Sequence, residues 1–210
     1  MKKILLSLLV AMVTGGMGVL AGPAGAAQLN AKFDMIPSPG VGTGTCLNTP
    51  GKLPVGHVTI NHLGAVETLH VEVFNLKPNT EYDLFLIQVP NKPFGLSWYQ
   101  GDVETDGNGR GVGDFIGRFS VETFIVAPGS ATVPVPVHPK DATQPGTNPA
   151  IPNPIHTFHL GLWFNSPADA ASVGCLSTGT PFNGDHTAGI QVLNTAGFPD
   201  DRGPLRNFRP

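Results

Sequence analysis

The chain has 210 residues, 27 of them Gly and 21 Pro, and a formal charge of −3, with 13% of residues charged and 40% hydrophobic. That hydrophobic share excludes a disordered chain, and the Gly and Pro content calls for many turns. A mildly acidic chain without basic clusters offers no phosphate-binding surface, so nucleic acid is excluded as an expected partner.

Lys2 and Lys3 precede an apolar run from Ile4 to Val13, and Ala24-Gly25-Ala26-Ala27 supplies an A-x-A cleavage pattern. This is the layout of a secretory signal peptide over residues 1–27, with the mature chain starting near Ala27 or Gln28. The rival reading is an uncleaved anchor, but Gly15, Gly16, Gly18 and Pro23 interrupt the run before it reaches bilayer length. Cleavage removes Lys2 and Lys3, moving the charge from −3 to −5, and no later stretch is long and apolar enough to cross a membrane. About 180 residues then remain, a length for one domain. We read residues 28–197 as that domain and 198–210, rich in Pro, Gly, Asp and Arg, as a loosely ordered tail.

Period-two alternation dominates the mature chain. In chain order it predicts strands at Val55–Asn61, Leu69–Phe74, Tyr82–Ile87, Trp98–Thr105, Gly111–Phe119, Val121–Val126, Ile155–Asn165 and Ala188–Asn194. Tyr82–Ile87 is apolar on both faces and so belongs centrally in a sheet. Val133-Pro134-Val135-Pro136-Val137 alternates too, but its prolines confine it to an edge or an extended arm. Residues 138–154 read as a long loop, and Pro167–Ser172 as the one short helix. The expected fold is all-β, an antiparallel β-sandwich. Cys46 and Cys175, an even pair in an exported chain, are expected to form a disulfide, since neither has a second Cys or His at ligand spacing.

Leu76-Lys77-Pro78-Asn79-Thr80-Glu81-Tyr82 resembles the L-x-P-x-T-x-Y corner of fibronectin type III and related immunoglobulin-like sandwiches. The resemblance covers roughly Thr68 to Gln88 and implies a fold only: Leu76 plugs the core end, Pro78 sets the turn, and the Tyr82 hydroxyl returns to backbone upstream. Two further segments, His159–Asn165 and Phe182–Thr195, are similar to exported bacterial β-sandwich proteins with no activity to transfer. The hairpin also resembles copper-zinc superoxide dismutase, but without an H-x-H pair that resemblance implies no dismutase.

Asp106-Gly107-Asn108-Gly109 predicts a tight turn; a calcium reading through Glu104, Asp106 and Asn108 falls short of the six to eight oxygens calcium takes. Gly107, Gly109, Gly111, Gly113 and Gly117 fall on alternate positions and leave a strip of bare backbone. We expect the core to cover it, through Trp163 or Phe158; the alternative is a ligand groove rimmed by Trp98 and Tyr99. The seven histidines are scattered, His156 and His159 falling on opposite strand faces, so no metal site is expected.

Catalytic signatures are missing: no G-x-S-x-G, no H-E-x-x-H and no phosphate-binding glycine loop, and no cofactor motif. The densest polar loop, Thr180–Gly189, would bring Asn183, Asp185 and His186 together at one end of the fold. The expected function is therefore a non-enzymatic module, secreted or at the cell surface, which binds a partner or has a structural role. Trp98, Tyr99, Asn183, Asp185 and His186 are its candidate binding residues. The alternative is a secreted polysaccharide hydrolase using Asp102, Glu104, Asp114 or Glu122 near the hairpin.

Overall fold

The structure, a computed structural model, describes residues 30–41, 46–47, 52–119, 122–124, 155–180, 186–206 and 208. Among these the chain forms β1 (Asn30–Pro37), β2 (Val55–Leu63), β3 (Val66–Phe74), β4 (Glu81–Ile87), β5 (Ser97–Glu104), β6 (Gly111–Gly117), β7 (Glu122–Phe124), β8 (Ile155–Thr157), β9 (His159–Phe164), α1 (Pro167–Ser172) and β10 (Gln191–Asn194). Eight strands make one sheet in the order β5-β4-β9-β10-β1-β2-β3-β6, while β7 and β8 pair apart from it. Every pairing is antiparallel.

The sheet has two four-stranded halves, joined where β1 meets β10 at Ile36–Asn194 and Pro37–Leu193. At the other side its end strands β5 and β6 meet through a hairpin, where Thr105 bridges Gly111. The fold is thus all-β, a single sheet curled until it nearly closes. Between the halves lies one continuous core, with Ile60, Leu69, Val71 and Val73 facing Tyr82, Leu84, Leu160, Leu162 and Phe164. Because β4 is apolar on both faces, it serves two clusters. Tyr82, Leu84 and Leu86 enter the core, and Phe85 and Ile87 join Trp163, Phe94 and Ala188 on the outer side.

The Leu76–Tyr82 corner forms as its residues imply. Leu76 is buried in the core, and the Tyr82 hydroxyl accepts the Lys77 N–H at 3.0 Å. The β5–β6 turn locks onto this corner: Leu76 N–H donates to the Gly109 carbonyl, Asn79 N–H to the Asp106 carbonyl, and Thr80 N–H to the Thr105 hydroxyl. Replacing Tyr82 with Phe keeps the ring and leaves the Lys77 N–H without its acceptor. The expected loss is about 1 to 2 kcal/mol in denaturant unfolding with an unchanged fold; equal stability of the two proteins would refute it.

Cys46 and Cys175 are disulfide-bonded, with Cα atoms 4.9 Å apart, and both sulfur-bearing residues are buried in the core. Such a bond fits an oxidising compartment. Helix α1 begins at an Ser166 cap whose Oγ accepts the Asp169 N–H at 3.1 Å, with Pro167 in the first turn, where a missing N–H does no harm.

Several expectations need correction. β1 was not expected, although Ala31, Phe33 and Met35 alternate and turn toward the core. The 198–210 tail is anchored at two of its described residues: Leu205 and Phe208 are fully buried in the core, and Leu205 N–H donates to the Phe158 carbonyl. The Ile155–Asn165 strand breaks at Phe158 into β8 and β9. The glycine strip does face the core, but neither Trp163 nor Phe158 covers it. Gly111 lies under Val103 and Val73, Gly113 under Phe115 and Val103, and Gly117 under Phe119. Gly107 and Gly109 belong to the turn instead, Gly109 at φ +74°. Residues 1–27, Val133–Val137 and the 138–154 loop lie outside the described residues.

Candidate functional site

The hairpin closes the sheet at its turn and leaves it open beyond. From Gly101 back to Ser97, and from Gly113 on to Gly117, β5 and β6 share no register pair. The Phe115 ring fills the wall where the strands begin to part. A Cβ at Gly101 would stand 2.6 Å from that ring, and φ +146° there further favours glycine. A bulge between Leu84 and Phe85 shifts the β4–β5 register at the same level. Past it lies a cleft of about 400 Å³, with Leu86 at its base, Trp98, Tyr99 and Gln100 on one side, and Ile116 and Arg118 on the other.

Two of the expected binding residues, Trp98 and Tyr99, line this cleft from opposite faces of β5. Trp98 shares a strand face with its register partner Leu86, and Tyr99 takes the opposite face, its ring centroid 5.5 Å from that of Phe85. Trp98 is 53% exposed, Tyr99 40% and Ile116 74%. The Tyr99 hydroxyl donates to Asp102 Oδ1, and burial and that carboxylate both push the phenol above its ordinary range. Arg118 Nη1 donates to the Ala65 carbonyl at 3.3 Å, and its Nε lies 3.7 Å from the fully buried Glu67. His186 stands apart from the cleft, 2.5 Å from Asn165 Oδ1. Asn183 and Asp185 lie outside the described residues.

The acidic residues split. Asp102 and Glu104 share the outer face of β5 and stand opposite Asp83 and Glu81 of β4. Carboxylate oxygens of Glu81, Asp83 and Asp102 lie within 4.8 Å of one another. Desolvation first, then Asp102 and Glu104, hold the Glu81 carboxyl above 4.5, with His186 pulling the other way. None of the residues lining the cleft is Asp or Glu, so this group sits beside the cleft rather than in it. Asp114 belongs to the other half of the sheet, and the side chain of Glu122 lies outside the described residues. Asp106 shapes its turn, its carboxylate accepting the Arg110 and Asn108 N–H groups, which lower its pKa.

Four of the described histidines serve pairing and docking. His57 lies 2.8 Å from Asp34 and His70 2.7 Å from Asp114, each pair directly opposite in the ladder. His159 is buried, its Nε2 donating to the Asp200 carbonyl at 3.0 Å and its Nδ1 2.9 Å from the Thr195 hydroxyl. His156 stacks on Phe158.

Glu81 and Asp83 were missed as site neighbours. The signal was present in Glu81-x-Asp83 and Asp102-x-Glu104, two alternations that meet once β4 and β5 are known to be adjacent. No protein-family model, curated protein or solved structure matches the chain.

Proposed function

We propose that this chain is a secreted, non-enzymatic module that binds an extended ligand, outside the cell or at its surface, through the cleft at Trp98 and Tyr99. The observation that carries the reading is an exposed indole on a cleft lined by no carboxylate, with the exposed Tyr99 phenol next along the strand on its other face. Aromatic rings dominate interface energetics because they bring large, rigid apolar area with a polar edge. Leu86 at the base gives that area continuity with the core, while Gln100 and Arg118 supply polar groups at the rim. The disulfide supports an oxidising destination.

A second reading, a polysaccharide hydrolase, draws on Glu81 held above the usual carboxylate range beside Asp102. Glycosidases use one raised and one ionised carboxyl, with the sugar between them. Here the carboxyls lie beside the cleft instead of lining it, which favours binding.

The test is electrophoresis of the protein through native gels containing soluble polysaccharides such as xylan, mixed-linkage glucan or pectin. At least one should retard it, and Trp98→Ala should weaken that retardation tenfold or more while leaving the melting temperature in place. Free passage through every gel would defeat the proposal. Release of reducing ends that disappears in Asp102→Asn would replace it with the hydrolase.

A further inference from the structure

A second hollow lies where the two halves of the sheet join; it shares no lining residue with the cleft, although the loop between β4 and β5 forms one of its walls. Its floor is the start of β10, Ile190 and Gln191; its walls are the Ser38–Gly40 turn after β1, the 88–96 loop with Lys92 and Phe94, and the Leu176–Thr180 segment after the disulfide. It measures about 390 Å³, within the range of small-molecule sites.

The hollow is preformed because two of its three walls hang from the same short strand. Ser38 N–H donates to the Val192 carbonyl and Ser38 Oγ to the Gln191 carbonyl. Opposite, Gln191 Nε2 and Asn194 Nδ2 donate to the Pro90 carbonyl at 3.1 and 3.0 Å. Phe94 anchors that loop from below, its ring 5.2 Å from Trp163. Walls fixed in advance spare a ligand the cost of ordering them.

The lining has two chemical parts. Phe94, Ile190 and Leu176 make it apolar, and Leu176 is left 65% exposed at the rim. Lys92 is the one charged lining residue, and it forms no ion pair with any described residue. A lone cation beside an apolar hollow, on a chain of net charge −3, selects for one negative charge carried by an apolar body.

We propose that this hollow is a second binding site, taking a small amphipathic anion: an aryl or alkyl body with one carboxylate or sulfonate. The site is independent of the Trp98 cleft, and its test does not depend on what that cleft binds.

The probe is 1-anilinonaphthalene-8-sulfonate, titrated against the folded protein with near-UV circular dichroism to certify native packing. One saturable site is expected, from which octanoate or a naphthoate displaces the dye. Lys92→Glu and Leu176→Asp both change exposed side chains, and each should weaken binding at least tenfold. Leu63→Ser, an exposed leucine at the end of β2, should leave it unchanged. Failure of the native protein to bind the dye saturably would overturn the proposal. So would equal affinity in the Lys92→Glu and Leu176→Asp proteins, or equal affinity for the uncharged analogue N-phenyl-1-naphthylamine.

Discussion

Replacing both Cys46 and Cys175 with Ala is expected to remove about 4 to 5 kcal/mol of stability, from a loop whose ends are 129 residues apart. That loop holds nearly everything from β2 to α1, so breaking it frees almost the whole sheet in the unfolded chain. The bond ties the segment after β1 to the segment after α1, and these arrive from opposite ends of the sequence to the same side of the core. Alanine is the substitution of choice because both positions are buried, and a serine hydroxyl there would add a desolvation cost of its own. For a domain of this size the loss corresponds to a melting temperature lower by about 10 to 15 °C. Urea unfolding of the variant and of the reduced protein should coincide. A difference from the oxidised protein below about 1 kcal/mol would show that the loop is not what restrains the unfolded chain.

How much of this was legible depended on the range of the interaction concerned. Local signals carried well. The Leu76–Tyr82 corner, the Asp106–Gly109 turn and the Ser166-Pro167 helix start each rest on residues within a few positions of one another, and each formed as read. The apolar residues on both faces of β4 marked it as a central strand, and it lies between β5 and β9. What failed was knowledge of register. Nothing in the sequence says that His57 faces Asp34 or that His70 faces Asp114, so these two read as scatter when they are ladder pairs. The same ignorance hid Glu81 and Asp83, which matter only because β4 lies against β5.

Burial of isolated apolar residues in turn-rich chain was equally illegible. Leu205 and Phe208 sit among Pro, Arg and Gly, a composition that describes the backbone and says nothing of whether two side chains reach a core. Ala31, Phe33 and Met35 alternate, yet the Lys and Asp between them, the Asn before them and the Pro after them disguise a strand that joins the two halves of the sheet. The Lys92 hollow is built by three connecting segments and the floor they share, and no single one of them carries its pattern.

The glycine strip offers the second large effect, because its cover comes from close neighbours and leaves no slack. A Cβ at Gly111 would stand 2.7 Å from the Glu104 carbonyl oxygen, 2.9 Å from Val103 Cγ1 and 3.0 Å from Val73 Cγ2. The first of these is backbone on the far side of the hairpin, next to the Thr105–Gly111 bridge that closes the sheet, so it yields only if β5 and β6 separate. Gly111→Val is therefore expected to cost about 3 kcal/mol, the upper part of the range for overpacking a filled core. Gly111→Ala should follow in the same direction with a smaller loss, since it meets the same carbonyl without the branched methyls. Two measurements separate this from a binding role for the strip. Denaturant unfolding should show the loss with no ligand present, and binding at the Trp98 cleft, whose lining does not include Gly111, should persist wherever the variant remains folded. A Gly111→Val protein that unfolds with the wild type would mean that the strip has room beside it. The strip would then return to consideration as the floor of a groove running from the turn to Trp98 and Tyr99.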